Sequence, residues 1–102
     1  MLELRPTCEH CDKALPPHAL DARICTFECT FCAHCVEAVL ANVCPNCGGG
    51  FVNRPIRPAK NWKNGNSLAA YPASTKRVHK PVNRAEHALF SVDIKNLKAE
   101  ER

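Results

Sequence analysis

The sequence lacks a long apolar segment. Its longest nearly apolar run falls far short of the roughly 18 consecutive apolar residues that a membrane-spanning helix requires. The N-terminus, MLELRPTCEH, has the acidic residue Glu3 where a secretory signal carries basic residues, and no apolar stretch follows it. We therefore expect a protein that neither spans a membrane nor is secreted, with the cytoplasm as its location.

Recognisable catalytic motifs are absent as well. The chain has no phosphate-binding loop, no serine, histidine and aspartate in a hydrolase-like arrangement, and no carboxylate pair typical of general acid–base catalysis. We therefore expect that the protein is not an enzyme.

Cysteine is missing from the second half of the chain. All eight cysteines lie between Cys8 and Cys47. A segment of about 50 residues buries too little apolar surface to be comfortably stable without disulfides, metals or a partner. In a reducing cytoplasm, clustered cysteines bind metal more often than they form disulfides. The first half is therefore predicted to be a metal-stabilised domain.

Acidic residues are scarce where cysteine is missing. Residues 54–102 contain eleven basic and four acidic side chains, whereas residues 1–53 contain three basic and six acidic ones. The proline-containing, polar segment 54–82 is predicted to be a flexible basic linker, largely extended. Asn83 followed by Glu86 resembles a helix start, so residues 83–102 are predicted to form a short amphipathic helix. Phe90, Val92 and Ile94 also alternate as in a strand, which is the alternative. The metal-binding domain then covers residues 1–53.

Local patterns also predict secondary structure inside that domain. Val36, Val39 and Leu40 share one face of a short helix that begins near the sixth cysteine. Asn42 can end this helix in the left-handed conformation. The apolar dipeptide at residues 51–52 predicts a short strand.

The cysteines occur in pairs with the spacing of metal ligands. From Cys8 to Cys47 the pattern is C-x2-C-x13-C-x3-C-x2-C-x2-C-x8-C-x2-C. A C-x2-C turn brings two thiolates to one ion at about 2.3 Å and directs backbone N–H groups at the sulfurs. Two pairs complete a closed tetrahedral site that has no position for a substrate. Eight cysteines therefore predict two structural sites, with two Zn²⁺ ions as cofactors that folding requires. An iron–sulfur cluster or disulfides are the alternatives.

The spacing alone allows two ways of sharing the cysteines between two ions. In sequential pairing, the first four cysteines bind one ion and the last four bind the other. In interleaved pairing, the first and third pairs bind one ion, and the second and fourth pairs bind the other. Four consecutive ligands from Cys25 to Cys35 would crowd three short linkers around one ion, which makes this the poorest option. The interleaved sets are Cys8, Cys11, Cys32 and Cys35 for site 1, and Cys25, Cys29, Cys44 and Cys47 for site 2.

The order of these spacings resembles that of a RING finger, which ends in C-P-x-C as this pattern does in the segment CPNC. Ile24 and Phe31 fall where RING cores place apolar residues. The resemblance covers residues 8–47 and implies interleaved pairing in a small metal-stabilised α+β fold, a RING-like cross-brace or treble-clef zinc module with a largely extended basic tail. All eight ligands would be cysteine, since Cys29 stands where histidine is usual. The wider pattern MLELRPTCEHC…CPNCGG…RPIRP also resembles a small bacterial family of uncharacterised cysteine-rich proteins.

The residues by which RING ubiquitin ligases contact their conjugating enzyme are mostly missing. Such ligases have an apolar residue inside the first C-x2-C, an aromatic in the central helix region and a basic residue after the last cysteine. This chain has Glu9 and His10 in the first turn, no aromatic between the third and fourth cysteine pairs, and Gly48 after the last cysteine. Ligase activity is therefore not expected, because a fold does not carry its function with it.

The histidines are interpreted as surface residues. His10 and His34 lie inside C-x2-C turns, but eight cysteines already complete two sites, so both side chains are expected to face solvent. His18, His79 and His87 have no partner at ligand spacing.

The basic tail is the candidate contact surface. Its basic residues are interleaved with Trp62 and Tyr71, which could stack on single-stranded nucleic acid or contact a protein partner. A linker whose Trp62 packs back on the metal-binding domain is the alternative without a partner. We expect a zinc-binding interaction module that acts as a protein–protein adaptor. Nucleic-acid binding through the basic tail is the alternative function. The candidate contacts are Arg54, Arg57, Lys60, Trp62, Lys63, Tyr71, Lys76 and Arg77.

Overall fold

A small antiparallel sheet lies at the centre of the fold. The structure, a computed structural model, describes residues 1–102. The sheet has the order β2-β1-β3 and consists of β1 (Ala22–Ile24), β2 (Thr30–Cys32) and β3 (Val52–Asn53). Residues 25–29 form the turn from β1 to β2, so four of the eight cysteines lie in or next to this hairpin. The predicted strand at 51–52 is present, one residue further along.

A short helix follows β2 without a break. It begins as α1 (Ala33–Cys35) and continues as a π-helical turn over Val36–Leu40, whose first and last residues are buried. Ala41 and Asn42 then end it in the left-handed conformation, with φ of 51° and 57°. The predicted end at Asn42 is confirmed, whereas the wider π-type turn was not expected from the spacing of the apolar residues.

The buried core is small and rich in sulfur. Phe31 is 1% exposed, and its ring meets that of Phe51 edge-on at a centroid distance of 5.5 Å. Ile24 is buried as well, so both apolar positions expected from the cysteine pattern are confirmed. Six of the eleven residues in the main core cluster are cysteines, so about half of this core consists of thiols. The cluster contains Cys8, Leu15, Ala22, Cys25, Cys29, Phe31, Cys32, Cys35, Val36, Leu40 and Cys44.

The segment between the sheet and the second helix lies against the cysteine-containing domain. Residues 54–83 contain no helix or strand. Backbone hydrogen bonds nevertheless join this segment to the N-terminal part of the chain: Ser74 N donates to Leu4 O at 3.0 Å, and Lys80 N donates to Glu9 O at 2.8 Å. The stretch predicted as a linker, 54–82, is therefore an irregular chain with contacts to the domain before it.

The second helix, α2 (Arg84–Ser91), begins at the predicted cap but ends at Ser91, so the helix predicted over 83–102 is present only in its first part. The Asn83 side-chain oxygen accepts a hydrogen bond from Glu86 N at 3.0 Å, which satisfies one of the free N–H groups of the first turn. A single 3-10 turn at Ala99–Glu101 follows near the C-terminus. None of the helices has the length and apolar character needed to cross a membrane.

Helix α2 turns its polar side inward. His87 and Ser91 are each 4% exposed, whereas Leu89 is 79% exposed and Val92, just after the helix, is 51% exposed. The surface position predicted for His87 is wrong, because its Nε2–H donates to the Leu40 carbonyl oxygen at 2.9 Å in the interior. This bond joins α2 to the end of the π-helical turn.

Candidate metal centre

The first cysteine cluster has the dimensions of a four-thiolate metal site. It contains Cys8, Cys11, Cys32 and Cys35, whose Sγ atoms all lie within 4.8 Å of one another. The Sγ atoms of Cys11 and Cys32 are 3.8 Å apart. A tetrahedron with a metal–sulfur distance of about 2.3 Å has edges of about 3.8 Å, whereas a disulfide joins sulfurs about 2.0 Å apart. The four thiols therefore fit around one tetrahedral ion.

The second cluster has three thiols at that spacing and a fourth beside them. The Sγ atoms of Cys25, Cys44 and Cys47 lie within 4.8 Å of one another. The Cys29 thiol lies beside them, close enough that the thiols of Cys25 and Cys44 influence its pKa. The Asn46 side-chain amide also donates to Cys29 Sγ at 3.4 Å. All eight cysteines of the chain are free, so neither cluster is a disulfide pair.

The clusters are interleaved along the chain. The first cysteine pair lies with the third, and the second pair lies with the fourth. This is the grouping that the RING resemblance implies, and the sequential grouping is not found. Two groups of cysteines that could hold metal ions are therefore present: the four predicted for site 1, and Cys25, Cys44 and Cys47 of the four predicted for site 2.

Strand β2 explains how the crowded stretch from Cys25 to Cys35 divides. Cys29 stands before β2 and forms the hairpin turn with Cys25, whose N–H donates to the Cys29 carbonyl oxygen at 3.2 Å. Cys32 ends the strand, and Cys35 follows one helical turn later in α1. A three-residue strand spans about 10 Å. One pair of thiols is thus presented at each end of β2, and each pair meets partners from a different C-x2-C turn.

Backbone N–H groups are directed at several of these sulfurs. Phe27 N donates to Cys25 Sγ at 3.3 Å, and Gly49 N donates to Cys47 Sγ at 3.4 Å. The backbone N–H groups of Asn46 and Cys47 also act to lower the pKa of the Cys44 thiol. Such N–H groups stabilise negative charge on sulfur, so these turns favour the thiolate form that binds metal.

Burial acts in the opposite direction on the thiols. It raises the pKa of Cys35, and the neighbouring thiols raise that pKa further. Burial also raises the pKa of Cys44, against the lowering effect of its backbone hydrogen bonds, and it raises the pKa of Cys29. Three of the four thiols in each cluster are buried, and four thiols so close together cannot all ionise alone, whereas a divalent cation among them balances the charge of the thiolates. The donor set therefore fits a divalent metal ion.

Glu9 is a buried residue of the first C-x2-C turn that sequence reasoning did not single out. It is 2% exposed, and its carboxylate accepts hydrogen bonds from the backbone N–H of Thr30 and from the Arg5 guanidinium, the latter at 2.9 Å. Glu9 N donates to Thr30 O at 3.0 Å. Glu9 therefore connects the first turn to β2, which brings the first and third cysteine pairs together.

Among the candidate partner contacts, Arg54 is buried. It is 4% exposed, and its guanidinium donates to the carbonyl oxygens of Arg5 at 2.8 Å and of Leu15 and Pro16 at 3.0 Å. Its contacts are thus made inside the protein, and Arg54 leaves the set of candidate surface contacts because these three carbonyls enclose it.

Two further arginines of the candidate set bond to the rest of the chain. Half-buried Arg57 donates to the carbonyl oxygens of Leu2 at 2.7 Å and Tyr71 at 2.6 Å. Arg77 pairs with Asp12, with Nε 2.8 Å from Oδ1, and this hydrogen-bonded pair lowers the pKa of the Asp12 carboxyl. Both arginines hold the tail on the domain.

The remaining five candidate contacts lie at the surface. Trp62 is 78% exposed and Tyr71 is 41% exposed. The alternative in which Trp62 packs back on the metal-binding domain is therefore wrong. The exposed members of the candidate set that make no ion pair are Lys60, Trp62, Lys63, Tyr71 and Lys76, whereas Arg77 is exposed but paired with Asp12.

The two histidines inside C-x2-C turns differ. His34 is exposed, as predicted. His10 is half-buried, and its Nδ1 accepts a hydrogen bond from Val82 N at 2.9 Å, so the predicted solvent-facing position is wrong. Burial, with the positive charge of Arg84 nearby, lowers the pKa of His10. Its partner lies in the tail, 72 residues away, where no local pattern pointed to it.

Comparisons with known proteins show that the cysteine-containing part of the chain matches a protein family. A family model described as a protein of unknown function, DUF1272, matches residues 1–57, which include all eight cysteines. An uncharacterised protein of Rhizobium meliloti (strain 1021) is 60% identical over 81 residues, which cover 79% of this chain and 89% of that protein. No solved structure matches the chain significantly.

Proposed function

The chain belongs to the DUF1272 family of uncharacterised proteins, and from this premise we propose that it is a zinc-stabilised interaction module that acts as a protein–protein adaptor. Two structural zinc sites of four cysteines each would hold a RING-like domain together. The division of the thiols into two interleaved clusters, one of them with the edge length of a tetrahedral thiolate site, carries this proposal. The proposed ligands are Cys8, Cys11, Cys32 and Cys35 for the first ion, and Cys25, Cys29, Cys44 and Cys47 for the second.

The donor set supports zinc in a structural role. Thiolates favour zinc over hard cations such as Mg²⁺ and Ca²⁺. Four sulfurs complete a tetrahedral shell and leave no position for water or substrate, and a thiolate bound in such a closed site is a poor free nucleophile. We accordingly propose a binding protein without catalytic activity.

The proposal does not include ubiquitin-ligase activity. In ligases of the RING type, an apolar residue inside the first C-x2-C contacts the conjugating enzyme. Here that turn contains Glu9, whose carboxylate is bonded to Arg5 and Thr30. The corresponding contact is therefore missing on both chemical and geometric grounds.

The exposed apolar side of α2 supports a protein partner. Leu89, Phe90 and Val92 are 79%, 46% and 51% exposed. The buried residues of the same helix are instead the polar His87 and Ser91. A surface helix of a protein that acts alone normally buries its apolar side. Side chains in this arrangement are typical of a surface that another protein covers.

The metal part of the proposal is tested by metal analysis of the full-length chain. Elemental analysis and native mass spectrometry should give two zinc ions per chain. A chain that folds with no metal, with one ion or with bound iron would contradict the proposal.

The adaptor part is tested by affinity capture with three full-length baits: the wild type, a Leu89→Gln/Val92→Gln double variant, and a Leu20→Gln control whose Leu20 is 82% exposed elsewhere. The wild type and the control should retain the same purified partner, and the double variant should lose it. Equal capture by all three baits would reject the α2 surface, and no specific capture by any bait would reject the adaptor role. Truncation after residue 53 is unsuitable, because it removes buried Arg54.

A further inference from the structure

Residues 58–68 form a closed loop that the zinc-stabilised core does not require. Its ends are joined by the hydrogen bond from Leu68 N to Pro58 O, 2.9 Å long. Arg57, just before the loop, donates to the carbonyl oxygen of Tyr71, just after it, at 2.6 Å. These two bonds fix the base of the loop, which is hereafter called the Trp62 loop.

The tip of the Trp62 loop is ordered by its own side chains and backbone. Gly65 N donates to the Asn61 side-chain oxygen at 2.9 Å, and Asn66 N donates to Lys63 O at 3.2 Å. Gly65, with φ of 75°, supplies the left-handed conformation that the turn needs. The loop therefore presents its exposed residues in a defined arrangement without a helix or strand.

The side chains at this tip make no use of the rest of the protein. Trp62 is 78% exposed. Lys60 and Lys63 on either side of it are exposed, and neither belongs to any of the four ion pairs of the chain. Leaving an indole in water forgoes the free energy that its burial would provide. A Trp held between two unpaired lysines thus indicates a binding surface.

The stretch of sequence that contains the loop is uniformly basic. Between Asn53 and Glu86 the sequence has eight basic residues and no acidic one. Only Arg77 of these forms an ion pair within the protein. The local field therefore favours an anionic partner.

We propose that the Trp62 loop binds single-stranded nucleic acid, with a base stacked on the Trp62 indole and the adjacent phosphates bound by Lys60 and Lys63. The amide groups of Asn61 and Asn64, both exposed, can form hydrogen bonds with base edges. A cavity of about 230 Å³ opens beside the loop and offers space for a neighbouring base. Its lining combines aromatic, basic and amide or hydroxyl groups from Met1, Arg57, Asn66, Ser67 and Tyr71.

A membrane surface is a poorer fit to the same loop. Trp62 is its only bulky apolar residue with high exposure, since Leu68 is half-buried at the base. Insertion of one indole with two lysines buries little apolar area in a bilayer, where stable attachment takes more than one anchoring feature. Three asparagines in the loop suit base edges and add nothing to membrane insertion.

This site is separate in sequence and in chemistry from the apolar side of α2. It goes beyond the adaptor function, because the protein could then hold a nucleic acid and a protein partner at once. Rejection of one proposed surface would not reject the other, because the Trp62 loop is tested with purified oligonucleotides and the α2 surface by capture of a protein.

Trp62 is the only tryptophan of the chain, so intrinsic fluorescence reports on this loop alone. The full-length, zinc-loaded protein is titrated with a 20-nucleotide oligouridine, with oligothymidine and with duplex DNA at two salt concentrations. We expect saturable quenching by the single strands and weaker binding of the duplex. Affinity should fall with added salt, with a slope of about −1.4 in log K against log salt for two phosphate contacts.

Variants separate stacking from charge. Trp62→Ala, followed by the anisotropy of a labelled oligonucleotide, should weaken binding about tenfold or more. Lys60→Gln/Lys63→Gln should weaken it at low salt and flatten the salt slope, whereas the control Lys95→Gln/Lys98→Gln should match the wild type. Zinc content and the circular dichroism spectrum verify that each variant is folded.

Two further probes decide between partners. Phosphatidylglycerol vesicles that shift the Trp62 emission to the blue, with no response to oligonucleotides, would overturn the proposal in favour of a lipid surface. Polyglutamate that binds as tightly as oligouridine, with Trp62→Ala neutral for both, would reduce the site to nonspecific charge and also overturn it. The absence of binding to single strands at low salt would do the same.

Discussion

The Sγ atoms of Cys11 and Cys32 lie 3.8 Å apart, although 21 positions separate them in the sequence. This contact passes over the second cysteine pair, which belongs to the other cluster. The first cluster therefore joins chain segments that lie before and after the second cysteine pair, and the second cluster joins segments that lie before and after the third pair. In our account the two ions are coupled through the fold, and the loss of one should weaken the other.

Metal removal should unfold the domain in one step. Six of the eleven residues in the main core cluster are cysteines, so without an ion the core would consist largely of mutually close thiols. We expect a strong chelator to release both zinc ions together with the loss of secondary structure. Zinc release measured with a chromophoric indicator should follow the same curve as circular dichroism. A metal-free protein with a dispersed amide NMR spectrum would contradict this account.

Replacement of a single proposed ligand should also unfold the domain. We expect this even for Cys29, whose thiol lies beside the other three of its cluster. Cys29→Ala should abolish binding of the second ion and unfold the domain, and Cys44→Ala should do likewise, because three thiols leave the ion's shell incomplete. His34→Ala, at an exposed position in a C-x2-C turn, is the matched control and should be nearly silent. A Cys29→Ala protein with full zinc content and an unchanged spectrum would refute the assignment of Cys29.

Arg54 should contribute strongly to stability. Arg54→Met keeps much of the apolar stem but leaves the carbonyl oxygens of Arg5, Leu15 and Pro16 without their donor. We expect the free energy of unfolding of the zinc-loaded protein to fall by about 3 kcal/mol in urea titrations. Lys60→Met, at an exposed position, should change it by less than about 0.5 kcal/mol. Equal effects of the two substitutions would show that the buried contacts of Arg54 do not operate in solution.

His87 should hold α2 on the domain. His87→Ala removes the 2.9 Å hydrogen bond to the Leu40 carbonyl and leaves a space on the inner side of the helix. The local opening of α2 should become easier by about 1.4 kcal/mol, and its amides should exchange with solvent about tenfold faster. Leu89→Gln is the control, because Leu89 is 79% exposed. If exchange in α2 is unchanged by His87→Ala, another contact fixes the helix.

Features set by short-range chemistry could be predicted from the sequence. Asn83 caps α2 because its side chain reaches the N–H of Glu86 three residues later. Asn42 helps to end the π-helical turn that continues α1, because asparagine tolerates the left-handed conformation. The interleaved cysteine grouping was one of two options from spacing, and the resemblance to RING fingers selected it.

Features that depend on distant parts of the chain could not be predicted. Arg54 read as one more basic residue of the tail, but its three carbonyl partners lie 38 to 49 positions away. His10 and His87 likewise have partners 72 and 47 positions away. Polar side chains buried by such contacts carry no local periodicity, and the same residue types are common at the surface. From the apolar pattern alone, α2 would be placed with Leu89 and Val92 facing inward, whereas the structure buries His87 and Ser91.

The pairing of the cysteines is the central claim, and ¹¹³Cd substitution tests it most directly. Two-dimensional ¹¹³Cd–¹H correlation spectra of the full-length, cadmium-loaded protein identify which cysteine β-protons couple to each ion. We predict two cadmium resonances, one coupled to the first and third cysteine pairs and the other to the second and fourth pairs. Coupling of one ion to Cys8, Cys11, Cys25 and Cys29 would contradict the interleaved arrangement on which the account rests.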